Sequence, residues 1–213
     1  MHSFITTSAV GGLDGHQFQD VHMRASDGSI VVDDLGKDPL DVAHPIQKII
    51  VSHGWIVDGI AVTYQLANGD ATTIGHGSQF ANADVVELNA TEVLVGVFGR
   101  AGWHEYYKRE MVVDLGFVVF DAAQETTRVV GPFGNGDESN HGKPFYCSDV
   151  LAFGGFAVNT DHLGLSGLFF FKDADLSDMS ITARIYRLLY QICTSTHAHK
   201  RLQAHSNASL SRV

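Results

Sequence analysis

Residues 46–60 read IQKIIVSHGWIVDGI. Two runs rich in isoleucine and valine flank a segment that starts at Gly54 and ends at Asp58. β-branched runs of this length favour strands, whereas glycine and aspartate favour turns. The stretch therefore predicts a strand, a tight turn and a second strand.

The same residue pattern extends in both directions from this stretch, over residues 1–172. Short β-rich runs are separated by glycine, aspartate and asparagine, which is typical of an all-β domain. The prolines also fall between the runs, so we expect that none interrupts a strand. The further runs are 60–64, 92–97, 117–120 and 168–171, and the prolines are Pro39, Pro45, Pro132 and Pro144.

The pattern changes after Lys172, where apolar residues begin to recur at spacings of three and four. Ser177 can cap a helix, and the stripe that follows predicts an amphipathic helix. We therefore predict a β domain over 1–172 and a helical extension with a flexible tail over 173–213. We expect the apolar face of this helix to pack on the β domain or on the same helix of another subunit in an oligomer. The residues of this face are Ile181, Ile185, Leu188, Leu189 and Ile192.

Composition narrows the partners that the protein can have. The 213 residues include 24 acidic and 14 basic side chains, a formal net charge of −10, which argues against nucleic acid and anionic lipid as partners. No apolar run reaches the length of a membrane span, so no membrane insertion is expected. The first residues lack the features of a signal peptide, which predicts a cytoplasmic protein and leaves release by a non-classical route open.

No catalytic or metal-binding motif stands out in the sequence. The 12 histidines form no H-E-x-x-H motif and no Cys/His pair with zinc spacing. Neither a hydrolase elbow nor a phosphate-binding loop is present. The sequence therefore predicts a protein that is not an enzyme and needs no metal or cofactor.

Several blocks occur in an order and spacing that resemble the jacalin-related lectin family across residues 8–171. The resemblance implies a β-prism of three four-stranded Greek-key sheets with sugar sites in loops at one end. Each site would combine a G-x-x-x-D turn with a glycine-rich loop. The blocks are Gly11-Gly12-Leu13-Asp14-Gly15-His16-Gln17-Phe18, residues 46–64, His76-Gly77-Ser78, Gly131-Pro132-Phe133-Gly134, Phe153-Gly154-Gly155 and Asp161-His162-Leu163-Gly164-Leu165.

The residue types in such a site suit a sugar for physical reasons. A carboxylate has two acceptor oxygens and can take two adjacent hydroxyls in charge-assisted hydrogen bonds. Glycine allows positive φ and lets a ligand approach backbone N–H groups closely.

Carried over to this chain, the resemblance implies two sugar sites. The first joins Gly15 to the turn 157–161, with Asp161 as hydroxyl acceptor and Val158 and Asn159 as backbone donors; here Ala157 replaces the glycine of the motif. The second joins Gly77 to the intact turn Gly54–Asp58, with Asp58 as acceptor and Trp55 and Ile56 as donors. A third site would pair residues 99–103 with 135–142, but it lacks the aspartate, and none is predicted.

The resemblance implies that the protein is a lectin for mannose- or glucose-type glycans. Residues Met1 to Val10 precede the first glycine loop, whereas the family's galactose-preferring members have a chain cut there. We expect a homo-oligomer, because several weak sites acting together give useful avidity.

Two alternatives stay open: an assembly module with degenerate sugar sites and a C-terminal oligomerisation helix, and a toxin-like protein that the lectin targets to cells. The role of the aromatic loop 103–107, in packing or in enlarging a site, is also open.

Overall fold

The computed structural model describes residues 4–32, 38–158 and 164–174. Strands are the main secondary structure of these residues. In chain order the strands are β1 (Phe4–Thr6), β2 (Val10–Gly11), β3 (His16–Gln19), β4 (Val21–Met23), β5 (Ile30–Val32), β6 (Ile46–His53), β7 (Val57–Gln65), β8 (Ala71–Gly77), β9 (Asp84–Glu87), β10 (Glu92–His104), β11 (Arg109–Asp121), β12 (Thr126–Gly134), β13 (Lys143–Ser148), β14 (Val150–Ala157) and β15 (Leu165–Asp173).

Three antiparallel sheets form the body of the protein. Two of them have the orders β8-β7-β6-β9 and β12-β11-β10-β13, in which the fourth strand returns beside the first. This is the Greek-key arrangement that the resemblance predicts. The third sheet joins both ends of the described chain, in the order β1-β15-β14-β3, with β2 also paired to β15. A small β4-β5 ribbon, which the sequence did not predict, lies outside the three sheets.

The hydrophobic core is built from residues of all three sheets. Ile49, Val62, Phe117, Phe153 and Leu168 are fully buried and belong to one cluster. β7, β11 and β14 are buried along nearly their whole length, so both faces of these central strands are covered. The runs at 46–51, 60–64, 92–97, 117–120 and 168–171 all lie in strands, as predicted.

Strands are longer than predicted, because glycines that were expected to separate them lie inside them. Gly116 is in β11 and Gly154 is in β14. A methyl group on Gly116 would lie 2.4 Å from the ring of Phe98, and one on Gly154 would lie 2.3 Å from the ring of Phe169. These glycines make room for an aromatic ring on the neighbouring strand rather than ending the strand.

The expectation that no proline interrupts a strand was wrong for two of the four prolines. Pro132 lies in β12 and Pro144 lies in β13. Both strands are edges of their sheet, so the missing N–H of proline costs no hydrogen bond on the outer side. Sequence position alone did not reveal which strands would be edges.

An ion pair fastens the start of β10 to the edge strand β12. The Arg128 guanidinium donates through Nε to Glu92 Oε1 at 2.7 Å and through Nη2 to Glu92 Oε2 at 3.1 Å. The Asn89 N–H donates to the same carboxylate at 2.9 Å. Hydrogen bonds from Arg128 are the main cause that holds the pKa of Glu92 below its ordinary value.

We expect Glu92→Gln to lower the free energy of unfolding by about 1 kcal/mol at pH 7, since the guanidinium is partly exposed. The folded-state pKa of Glu92 is depressed, so its contribution is complete above the unfolded-state pKa and is lost as the pH falls through the folded-state pKa. Urea unfolding of both proteins at a series of pH values measures this. A difference that stays constant below pH 4 would contradict the assignment.

The predicted C-terminal helix and tail lie outside the described residues, which end at 174. The division of the chain after residue 172 stays a prediction, although β15 continues to Asp173. Within the described part of the chain, no helix is long and apolar enough to cross a membrane.

Candidate functional site

Loops from all three sheets meet around the turn Gly54–Asp58. The Gly136 N–H, from the loop between β12 and β13, donates to the Gly54 carbonyl at 3.0 Å. A methyl group on Gly164, just before β15, would lie 2.7 Å from the Val57 carbonyl oxygen and 3.2 Å from Asp58 Cα. The turn between β6 and β7 is therefore the centre of a loop cluster.

The turn presents two backbone donors beside a carboxylate. It is closed by a hydrogen bond from the Gly54 N–H to the Ile56 carbonyl at 2.9 Å. The N–H groups of Trp55 and Ile56 donate to no atom of the described residues. Asp58 Oδ2 would lie 3.6 Å from a methyl group on Gly54, so the carboxylate sits beside the turn. Ile56 is fully buried and Asp58 nearly so, which leaves Trp55, 46% exposed, as the accessible part.

Gly77 contacts the backbone of Asp58, because β7 and β8 pair at this point. Its φ is +72°, and a methyl group on it would lie 2.4 Å from the Asp58 carbonyl oxygen. The Ser78 N–H donates to that same oxygen at 2.9 Å. The structure thus brings together the loop and the turn that the sequence assigned to the second site.

A groove of about 380 Å³ adjoins this loop. Gly77 and Ser78 line one part of it, and His16 and Ala157 line another. The groove therefore reaches from the predicted second site towards the predicted first site. Its remaining lining includes the stacked rings of Phe18 and His76, whose centroids are 3.6 Å apart.

A buried hydrogen-bond network fixes His76 at the groove. Its Nε2 lies 2.5 Å from Asp20 Oδ1, and the Tyr64 hydroxyl donates to Asp20 Oδ2 at 2.5 Å. The Phe153 N–H donates to the Tyr64 hydroxyl at 3.1 Å. Burial first, and the Asp20 carboxyl second, hold the pKa of Tyr64 well above its ordinary value. Sequence reasoning identified His76 only as part of a motif and missed Asp20.

The predicted first site is described only in part. Gly15 has φ +101°, and a methyl group on it would lie 2.4 Å from the Ala157 carbonyl oxygen. Gly15 and Val158 are therefore neighbours, as the resemblance implied. The Val158 N–H, predicted to donate to a sugar, donates to the Gly164 carbonyl at 3.0 Å. Asn159 and Asp161 lie outside the described residues.

Aromatic side chains from the turn between β10 and β11, residues 105–108, lie beside the turn Gly54–Asp58. Trp55 packs edge-on against Tyr106 with centroids 5.1 Å apart, and Tyr106 packs edge-on against Tyr107 at 5.2 Å. Burial, and next the charge of the Asp58 carboxylate, raise the pKa of Tyr107. Tyr106 is 69% exposed, so the cluster offers apolar ring surface next to the turn. In the sequence, the only indication of this cluster was the high aromatic content of the loop.

One arginine holds the loop 135–142 against β10. The Arg100 guanidinium donates to the carbonyls of Asn140 at 2.8 Å, His141 at 3.1 Å and Gly142 at 2.9 Å. At the start of this loop the Gly134 N–H donates to His53 Nδ1 at 3.1 Å. The loop is thereby fixed both to its own sheet and to the residue preceding the turn.

The same loop brings together the described residues best suited to hold a metal ion. His104, Asp137 and His141 each offer one ligand atom, and these atoms lie within 4.8 Å of one another. The sequence predicted no metal site. In the sequence only Asp137 and His141 lie close together, four positions apart. His104 lies on a different element more than thirty positions earlier.

Comparisons with known proteins agree on one family. The model of the jacalin-like lectin domain matches residues 7–165. An artocarpin–mannopentose complex is 20% identical with a TM-score of 0.56, covering 78% of this chain and 95% of that chain. Malaysian banana lectin is 18% identical with a TM-score of 0.55, covering 79% and 97%. A mannose-binding jacalin-related lectin from Ananas comosus is 19% identical with a TM-score of 0.55, covering 79% and 96%. No curated protein matches the chain.

Proposed function

The chain belongs to the jacalin-like lectin domain family, and on this basis we propose that it binds carbohydrate, without enzymatic chemistry, at the turn Gly54–Asp58. The observation that carries the proposal is the turn itself. It places two N–H groups that have no partner among the described residues beside the Asp58 carboxylate. Such donors and a two-oxygen acceptor can together bind adjacent hydroxyls of a hexose.

The surroundings of the turn support the same ligand class. Trp55 and Tyr106 offer exposed ring surface, on which the apolar face of a sugar ring can pack. The groove beyond Gly77 has a volume of about 380 Å³, which leaves room for a further sugar unit of a glycan.

Mannose- or glucose-type glycans are the ligands that we propose. The solved structures of similar fold include a complex with mannopentose and a lectin described as mannose-binding. The segment before the first glycine loop is part of a sheet, because Phe4–Thr6 pairs with β15.

Affinity for one sugar unit is expected to be weak, since a small ligand buries few atoms. We propose that a homo-oligomer, or a second site at Gly15, Asn159 and Asp161, supplies avidity for branched glycans.

We expect Asp58→Asn to weaken binding of methyl α-mannoside about 10- to 100-fold, because one charge-assisted acceptor is replaced by a neutral oxygen. Calorimetric titration with methyl α-mannoside, galactose and a branched mannose oligosaccharide measures this. Asp161→Asn in the same experiment reports on the first site.

Asp70→Asn is the matched control, because Asp70 is an exposed aspartate in the turn at the other end of β7. It should leave sugar affinity unchanged. The proposal fails if the native chain binds none of the sugars, or if Asp58→Asn and Asp70→Asn bind equally well.

A further inference from the structure

We propose that His104, Asp137 and His141 form a binding site for a divalent transition metal ion, with Zn²⁺ as the favoured ion. The three side chains come from the end of β10 and from the loop between β12 and β13. The site is separate from the proposed sugar-binding residues and does not depend on their function.

Distances between the ligand atoms suit a small tetrahedral ion. His141 Nε2 lies 3.3 Å from Asp137 Oδ2, and His104 Nε2 lies 3.7 Å from the same oxygen. Tetrahedral zinc with bonds of about 2.0–2.2 Å holds its ligand atoms about 3.3–3.6 Å apart. Two of the three separations therefore need almost no adjustment, and the third is at most 4.8 Å.

His104 supplies an independent sign that a ligand belongs here. Its side chain is fully buried, and neither ring nitrogen has a hydrogen-bond partner among the described residues. Leaving such groups buried and unpaired is costly. Its Nε2 is the atom directed towards Asp137, and coordination of a metal would pair it.

The other two ligands are held in place by the loop. The Ser139 N–H donates to Asp137 Oδ1 at 3.3 Å, which leaves Oδ2 for the two histidines. Arg100 binds the His141 carbonyl and its neighbours, as described above.

The chemistry of the donors selects the class of ion. Two imidazoles and one carboxylate suit Zn²⁺ and its transition-metal neighbours, whereas Ca²⁺ and Mg²⁺ prefer sites made of oxygen.

A metal here would fasten the loop 135–142 to the end of β10. That loop is bonded to the Gly54 carbonyl through the Gly136 N–H, so the ion would stabilise the surroundings of the turn without touching it. Three protein ligands leave a fourth position for water or another small ligand.

Metal binding is tested on the full chain after removal of metals with a chelator. We expect calorimetry to show Zn²⁺ binding at this site and Ca²⁺ binding to be at least about a hundredfold weaker. At a hundredfold excess of Zn²⁺ over the dissociation constant, the melting temperature should rise by about 5–10 °C. Co²⁺ in the same site should give the visible absorption of a tetrahedral centre.

Variants assign the binding to these residues. Asp137→Asn and His141→Ala are partly exposed positions that should fold, and each is expected to weaken Zn²⁺ binding about a hundredfold or more. His104→Ala removes a buried ring, so circular dichroism must first show that it folds. The matched control is the double variant His197→Ala/His199→Ala, because that pair could bind Zn²⁺ by itself.

The proposal is overturned if the chain binds no Zn²⁺, or if binding survives Asp137→Asn and His141→Ala but is lost in the His197/His199 variant. Sugar binding is measured by a separate titration. Failure to bind Zn²⁺ would therefore leave the proposed carbohydrate site intact, and failure to bind sugar would leave the proposed metal site intact.

Discussion

We expect Asp20→Ala to lower the free energy of unfolding by about 3–5 kcal/mol, because it breaks a buried polar network by removing its centre. Asp20 is fully buried and accepts from the Tyr64 hydroxyl while its second oxygen contacts His76 Nε2. Without the carboxyl, the Tyr64 hydroxyl proton and the His76 nitrogen lose their partner together. Equilibrium unfolding in urea measures the difference.

Two further variants distinguish the loss of these hydrogen bonds from the loss of side-chain volume. Tyr64→Phe leaves the ring in place but removes the hydroxyl that accepts from the Phe153 N–H, so it should cost about 1–3 kcal/mol. Asp20→Asn keeps an acceptor and should cost less than Asp20→Ala. If the effects of Asp20→Ala and Tyr64→Phe add fully in the double variant, the two groups are not coupled and the network has been misjudged.

This network matters because it joins two of the sheets behind the groove. Tyr64 and His76 belong to β7 and β8, whereas Phe153 belongs to β14 of the third sheet. Asp20 follows β3, and its backbone N–H donates to the Phe153 carbonyl at 3.0 Å. The position of the His76 ring, and with it one wall of the groove, is therefore set by contacts between sheets.

Much of the fold could be predicted from the sequence, because strand runs and turn residues are local signals. The run 46–51, the glycine and aspartate of the turn at 54–58 and the run 60–64 are each recognisable within a few residues. Their pairing follows from the shortness of the connection. The Greek-key order of the sheets came from the resemblance to a family and is confirmed by the strand pairing.

Features that depend on contacts between distant residues could not be predicted in this way. Whether Pro132 lies inside a strand depends on β12 being an edge, and the room left by Gly116 depends on where Phe98 packs. The cluster of His104 with Asp137 and His141 depends on how the β12–β13 loop folds back on β10. The roles of Asn159, Asp161 and the C-terminal helix stay predictions, since they lie outside the described residues.

Gly77→Ala should lower the free energy of unfolding by about 3–4 kcal/mol, from two causes that can be separated. A left-handed backbone conformation costs an L-residue about 1–2 kcal/mol. In addition, the new methyl group would lie 2.4 Å from the Asp58 carbonyl oxygen and 3.0 Å from Gly59 Cα, and backbone atoms cannot move aside cheaply. Urea unfolding gives the total, and sugar titration reports whether the turn has moved.

Gly69→Ala is the matched control, because Gly69 also has a left-handed φ, +93°, but a methyl group there would meet nothing within 4 Å. It should cost only about 1 kcal/mol, since the backbone strain is partly offset by the reduced freedom of the unfolded chain. The difference between the two variants measures the contact of β8 with the carbonyl of Asp58. Equal costs would mean that Gly77 is needed only for its backbone conformation; a larger cost together with weaker sugar binding would mean that the close approach of loop and turn is itself part of the binding site.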